Sequence, residues 1–342
     1  MKIDGGLQLA YDDRASAAHS AQLAASVGYD RLFAAEAAHD PFLPLALAAG
    51  AADVDLGTYV AIAFARNPMT AAAAANDLQL LTGGRFILGL GSQVKAHVTR
   101  RFSMPWSHPA DRMREFILAL RAIWDSWNLG TRPRFEGDYY QYTLSNPLFE
   151  PGPNPFGPPR VFLAAVGPHM TEVAGKTADG VLCHGFTSPS YLAEVTLPAL
   201  RRGLAAAGRS QDEVEVCLPV FLATGPAGGD LERAIDGARR TLSFYGSTPA
   251  YQGVLAHHGW GDLHHELHRL SVDQRWDDMS PLIDDEILHT LAVVADADHL
   301  AGVLLDRYGG LVTALRLNVP YAEDPETWAS VITELKEAAP CR

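Results

Sequence analysis

The stretch LGTYVAIAFARNP, residues 56–68, decides how the chain is read. It begins as a buried β run and leaves the core through a short polar exit, Arg66-Asn67-Pro68. One helical segment later comes GRFILGLGSQ, residues 84–93, a second apolar run that closes on a Gly-rich turn. A continuous apolar run bounded by turn residues suits a strand buried on both faces, as in a parallel sheet. Two such runs with a helix between them make a βα unit.

The same rhythm extends in both directions. Residues 2–9, 31–35, 55–63 and 85–90 read as strands, with helices over 13–27, 43–52, 70–81 and 111–127. Regularity lapses over 130–159, which is rich in Pro, Gly and aromatic residues. It then resumes with strands over 161–165, 180–184, 215–223 and 312–318. Helices are expected over 170–177, 190–207, 231–244, 282–294, 298–308 and 325–338. A second irregular block covers 245–281. Eight strands with intervening helices predict an α/β fold, a (β/α)8 TIM barrel forming a single domain over 1–342, with insertions at about 130–159 and 245–281.

Composition agrees with that reading. With 342 residues and 48% hydrophobic content, the chain can fill one large barrel. A net charge of −13 speaks against neutralising nucleic-acid phosphates. The three cysteines, Cys183, Cys217 and Cys341, are too few and too far apart for a disulfide framework or a thiolate zinc site. No leader pattern opens the chain, and no uncharged run approaches the roughly 18 residues of a membrane span. A cytoplasmic protein acting on a small molecule is expected, with neither nucleic acid nor membrane as partner.

In a barrel of this kind the chemistry sits at the C-terminal strand ends. Carboxylates are scarce there, with Asp12, Glu36 and Asp40 as the exceptions. The chain has no convergent carboxylate pair, G-x-S-x-G elbow or Walker loop. Gly89 and Gly91 form G-x-G, but Gln93-Val94 follows where a dinucleotide fingerprint needs a third Gly. A bound cofactor is therefore the economical source of reactivity. His264 and His268 are spaced i, i+4 within HHELH, one residue off the H-E-x-x-H pattern, so no metal is assigned. That segment reads instead as a lid helix packed by Trp260 and Trp276.

The chain resembles the luciferase-like flavin and deazaflavin oxidoreductases over nearly its full length. The resemblance lies in GYDRLFAAEAAHDPF (28–42), GTYVAIAFARNP (57–68), LLTGGRFILGLGSQ (80–93), VGPHMTEVAGKTADGVLC (166–183) and the HGWGDLHHEL block. It is most similar to the branch that uses coenzyme F420. The resemblance implies a non-prolyl cis peptide at Tyr59–Val60, forming a bulge behind the central ring of the cofactor. It implies that His39 is the acid or base, a role that imidazole suits near neutrality. The helix start Gly167-Pro168-His169-Met170 would hold the cofactor's phosphate through free N–H groups. Gly91, Ser92 and Gln93 would line the polar ring edge, with Cys183 and His184 nearby. Substrate would meet Phe64, Lys95, His97, Phe186 and Trp260. Sugar-phosphate dehydrogenases of this branch carry a Glu in the GLG loop where this chain has Val94.

The resulting expectation is an F420-dependent oxidoreductase that moves a hydride between the deazaflavin and a small organic substrate, as a homodimer. The alternatives are an FMN-dependent luciferase-like monooxygenase and a cofactor-free barrel acting as a binding or structural subunit.

Overall fold

In the computed structural model, which describes residues 1–225, 231–319 and 321–338, the apolar runs form parallel strands that close on themselves. The strands are β1 (Lys2–Gly6), β2 (Arg31–Ala34), β3 (Asp55–Thr58), β4 (Phe86–Gly91), β5 (Arg160–Ala164), β6 (Gly180–Leu182), β7 (Glu215–Val220) and β8 (Ala314–Leu317). Each pairs with the next in chain order, and β8 returns to β1 with Ala314 opposite Lys2. Closure leaves no open edge within the barrel.

Two layers of core hold this arrangement. Inside the barrel, Phe33, Ile87, Phe162, Leu182, Cys217 and Ala314 form a closed cluster against which Tyr59, Val60 and Ala164 pack. Outside it, a larger cluster joins the strands to helices such as Pro68–Leu81 and Pro109–Leu129. The strand-start end is tied by charge. Arg31 grips both oxygens of Asp4 at 2.6 and 2.9 Å and reaches Glu215 at 2.6 Å. Arg160 bridges Glu215 at 2.8 Å and Asp55 at 2.6 Å. These charge-assisted bonds close one end of the barrel and leave the other free for a site.

The structure departs from the sequence expectations at five places. The strand expected over 55–63 stops at Thr58, ahead of the cis Tyr59–Val60 peptide; Ala61–Ile62 then pairs with Leu90 and Gly91. The run 215–223 divides, its last residues Leu222–Ala223 pairing with Val293–Val294 outside the barrel. That second strand cuts short the helix expected over 282–294, which spans only Asp285–Leu291. The helix expected over 190–207 is interrupted by a π turn at Leu192–Thr196, just ahead of Pro198, which has no N–H to return to Glu194. The helix expected over 43–52 is Phe42–Ala48.

The first irregular block contains the hairpin Phe135–Glu136 with Gln141–Tyr142. The second contains the helices Gln252–His257 and Gly261–Val272. Among the described residues, no helix is long and apolar enough to cross a membrane. Cys341 lies outside the described residues.

Candidate active site

A cavity of about 1210 Å³ opens at the C-terminal ends of the barrel strands. Its floor is made where the two opening stretches of sequence meet. Thr58 Oγ1 donates to the Gly89 carbonyl at 2.6 Å. A Cβ on Gly89 would lie 1.8 Å from the Thr58 carbonyl oxygen, and one on Gly91 would lie 2.6 Å from Val60 Cγ2. Only glycine at both positions lets the 58–60 backbone press against β4. The GLG turn and the interrupted strand are therefore one construction.

The polar exit has its own logic. Ile62 N–H donates to the Glu36 carboxylate at 2.7 Å, and Arg66 pairs with the same carboxylate while reaching the Ile62 carbonyl at 3.1 Å. Glu36 N–H donates to the Val60 carbonyl at 3.2 Å. Asn67 caps the next helix by accepting from Thr70 N–H at 2.9 Å, with Pro68 in its first turn. Arg66-Asn67-Pro68 thus clasps the bulge and starts a helix.

Tyr59 and Val60 both line the cavity. The Tyr59 side chain crosses the mouth of the barrel, its hydroxyl donating to the Cys183 carbonyl at 2.7 Å. Burial holds that hydroxyl well above the usual tyrosine range. The Arg316 guanidinium stacks on the ring at 4.3 Å from the centroid.

Cys183 and His184 form the wall beyond, both lining the cavity. Burial pushes the Cys183 thiol up to about 12, so it is a neutral thiol and no nucleophile. Burial also lowers His184 to about 4. Its Nδ1 accepts from Phe186 N–H at 3.0 Å, which leaves the proton of the neutral ring on Nε2. Tyr251 and Tyr245 flank the imidazole, with ring centroids at 4.4 and 4.5 Å.

The third wall is a helix start. Gly167 is the N-cap of Pro168–Thr177 and has no capping side chain, so the N–H groups of His169 and Met170 remain as orphan donors. Gly167 and Met170 line the cavity, whereas Pro168 and His169 are exposed outside the lining. Gly91, Ser92 and Gln93 also line it, Gln93 in the left-handed region at φ 60° with its side chain accepting from Val94 N–H at 2.9 Å.

The structure places the remaining expected site residues elsewhere. His39 is exposed, outside the lining, and stacks on Tyr11 with ring centroids 3.6 Å apart. Lys95 and His97 are exposed on the helix Lys95–Arg100, also outside the lining. Phe64, Phe186 and Trp260, expected in the substrate pocket, do not line this cavity. Phe64 is fully buried beneath the Arg112 guanidinium at 4.6 Å and against Trp106. Phe186 is buried against Tyr251, and Trp260 stacks on His258 at 4.8 Å. In each case an aromatic or cationic neighbour already covers the ring.

The helix Gly261–Val272 contributes no residue to the lining. The Nδ1 atoms of His264 and His268 lie 2.8 and 2.9 Å from the carbonyls of Gly246 and Ser247, tying this helix to the end of Leu231–Gly246. Among the described residues, no three His, Cys, Asp or Glu side chains gather to hold a metal.

Sequence reading missed Arg316 on the eighth strand and Asn318 just beyond it, both on the lining; Tyr245 and Tyr251, also on the lining, belong to the second irregular block, which the sequence assigns to shaping the substrate pocket. The available signal was the lone charge in ALRLN, residues 314–318, which is out of place in a strand buried on both faces.

An uncharacterized protein of Mycobacterium tuberculosis is 51% identical over 313 residues, 91% of each chain. The F420-dependent glucose-6-phosphate dehydrogenase of Intrasporangium calvum is 30% identical over 58% of this chain and 62% of its own. The structure of the coenzyme F420 dependent tetrahydromethanopterin reductase from Methanopyrus kandleri superposes with a TM-score of 0.77 at 19% identity, covering 99% of this chain and 100% of that one. At that identity the likeness is one of fold. The family model of luciferase-like monooxygenases matches residues 2–314, and the chain belongs to that family.

Proposed function

We propose that this protein is an F420-dependent oxidoreductase that exchanges a hydride between the deazaflavin and a small organic substrate. One observation carries the reading. A single cavity brings together the flat ledge of Val60 against Gly91 and the uncapped helix start at Gly167, a backing for a ring and a seat for a phosphate. When bound, a deazaflavin supplies a two-electron hydride donor or acceptor.

The residues of the chain do the rest. Val60 backs the ring, and Gly91, Ser92 and Gln93 meet its polar edge. The N–H groups of His169 and Met170 receive the phosphate. His184 offers Nε2–H from an aromatic wall, a neutral donor that orients an acceptor without giving up its proton. In this reading His39, on the loop after β2, is the acid or base for the substrate's proton, although its ring stacks on Tyr11 outside the lining. The F420-dependent dehydrogenase among the relatives supports F420, and the monooxygenase activity in the family's name keeps an FMN-dependent monooxygenase as the competing reading.

The test is titration of the purified protein with F420 and, separately, with FMN, following fluorescence quenching. Saturable quenching of F420 is expected. Tight FMN binding with no F420 binding overturns the choice, and binding of neither supports a cofactor-free barrel.

A further inference from the structure

Arg316 stands in the middle of β8, only 7% exposed, and lines the cavity floor. Burying a guanidinium is costly unless its charge and its N–H groups are answered. Its Nε donates to Asn318 Oδ1 at 3.0 Å, and one face rests on Tyr59. Among the described residues, neither Nη atom has a hydrogen-bond partner and no carboxylate lies within 4.0 Å.

The nearest candidates for a counter-charge are already engaged. Asp4 faces Arg316 in register across β1 and β8, yet both of its oxygens are held by Arg31. Glu215 is shared among Lys2, Arg31 and Arg160. The carboxylates lining the cavity are Glu323 and Asp324, on the turn before the helix Pro325–Ala338. The result is a planar fork of donors, oriented by Asn318 and Tyr59, on the lining of the cavity. Guanidinium forks match two-atom oxyanions such as a carboxylate or a delocalised N–C–O anion.

We infer that Arg316 anchors an anionic oxygen of the ligand at the cavity floor. Two sources share this chemistry. One is a carboxylate or enolate oxygen of the substrate. The other is the pyrimidine edge of a ring cofactor, which becomes anionic on taking up a hydride; that source rests on the function proposed above, and the first does not.

The experiment uses the purified protein and the variants Arg316→Gln and Arg316→Lys. The probes are benzoate, followed by calorimetry, and oxidised and reduced F420, followed by fluorescence and competition. Melting temperature checks folding. At least a tenfold loss of benzoate binding in Arg316→Gln, with a smaller loss in Arg316→Lys, supports a substrate anion. A tenfold loss of affinity for reduced F420 beyond that for oxidised F420 supports the ring edge. If Arg316→Gln does not fold, Arg316→Lys decides, because it keeps the charge and lacks the fork; several-fold weaker binding of either anion supports the assignment. Benzoate binding that depends on Arg316 in a protein that binds neither form of F420 overturns the cofactor reading and leaves this one standing. Folded variants that bind every probe like wild type, or a wild type that binds none, overturn the assignment.

Discussion

The hydroxyl of Tyr59 and the carbonyl of Cys183 are joined by a 2.7 Å hydrogen bond that spans the barrel mouth from the end of β3 to the end of β6. Cys183 is buried and Tyr59 half-buried on the cavity lining, so the bond is partly shielded from water. Tyr59→Phe keeps the ring, and with it the stacking of Arg316, while leaving the carbonyl unpaired. A loss of about 1–2 kcal/mol is expected from urea unfolding. An unchanged midpoint and slope would sink the claim that this bond braces the mouth.

Gly91 and Val60 define a second test. A methyl group at Gly91 would sit 2.6 Å from Val60 Cγ2, closer than packing allows. Gly91→Ala should cost about 1–3 kcal/mol, and on the proposed function it should weaken F420 binding at least tenfold, because the ledge proposed to back the ring is displaced. Adding Val60→Ala removes the atom that clashes and should recover most of the stability. A double variant no better than the single one shows that the contact is not the cause.

These two contacts also mark what the sequence could and could not reveal. Residues 56–68 and 84–93 read correctly as neighbouring strands, because apolar runs between turn residues report burial on both faces. The place where β3 breaks carried no signal in composition, since Tyr59 and Val60 are ordinary strand residues. Only resemblance located it. Phe64 failed as a pocket residue because one position along an irregular turn decides between cavity and core, and Arg112 covers it. Arg316 was passed over because its meaning depends on distant partners: Asp4 and Glu215 are spent on Arg31, which no local pattern announces.

Glu36 is the hinge of the polar exit. Its carboxylate serves both Arg66 and the Ile62 N–H, and its side chain is only 10% exposed. Glu36→Gln keeps one acceptor but removes the charge that Arg66 answers, leaving Arg66 with Asp40 at 3.3 Å. A loss of about 1–3 kcal/mol in stability is expected. Asp40→Asn, on the more exposed partner, should cost under about 1 kcal/mol. Equal effects in the two variants would contradict this ranking.

His184 sets the acid limb of stability. Burial lowers it from an ordinary value of 6.5 to about 4 in the folded chain. Above pH 6.5 the ring is neutral in both folded and unfolded chains and adds no pH dependence. Below that value the unfolded chain takes up a proton that the folded one refuses, so stability falls as the pH drops toward 4. The full contribution is about 3 kcal/mol over that window. His184→Gln offers Oε1 to the Phe186 N–H and cannot titrate. Its stability, measured by urea unfolding from pH 7 to pH 4, should fall less steeply than that of wild type. Parallel curves for the two proteins would mean that His184 already ionises in the folded state. The proposed neutral Nε2–H donor would then be lost as well.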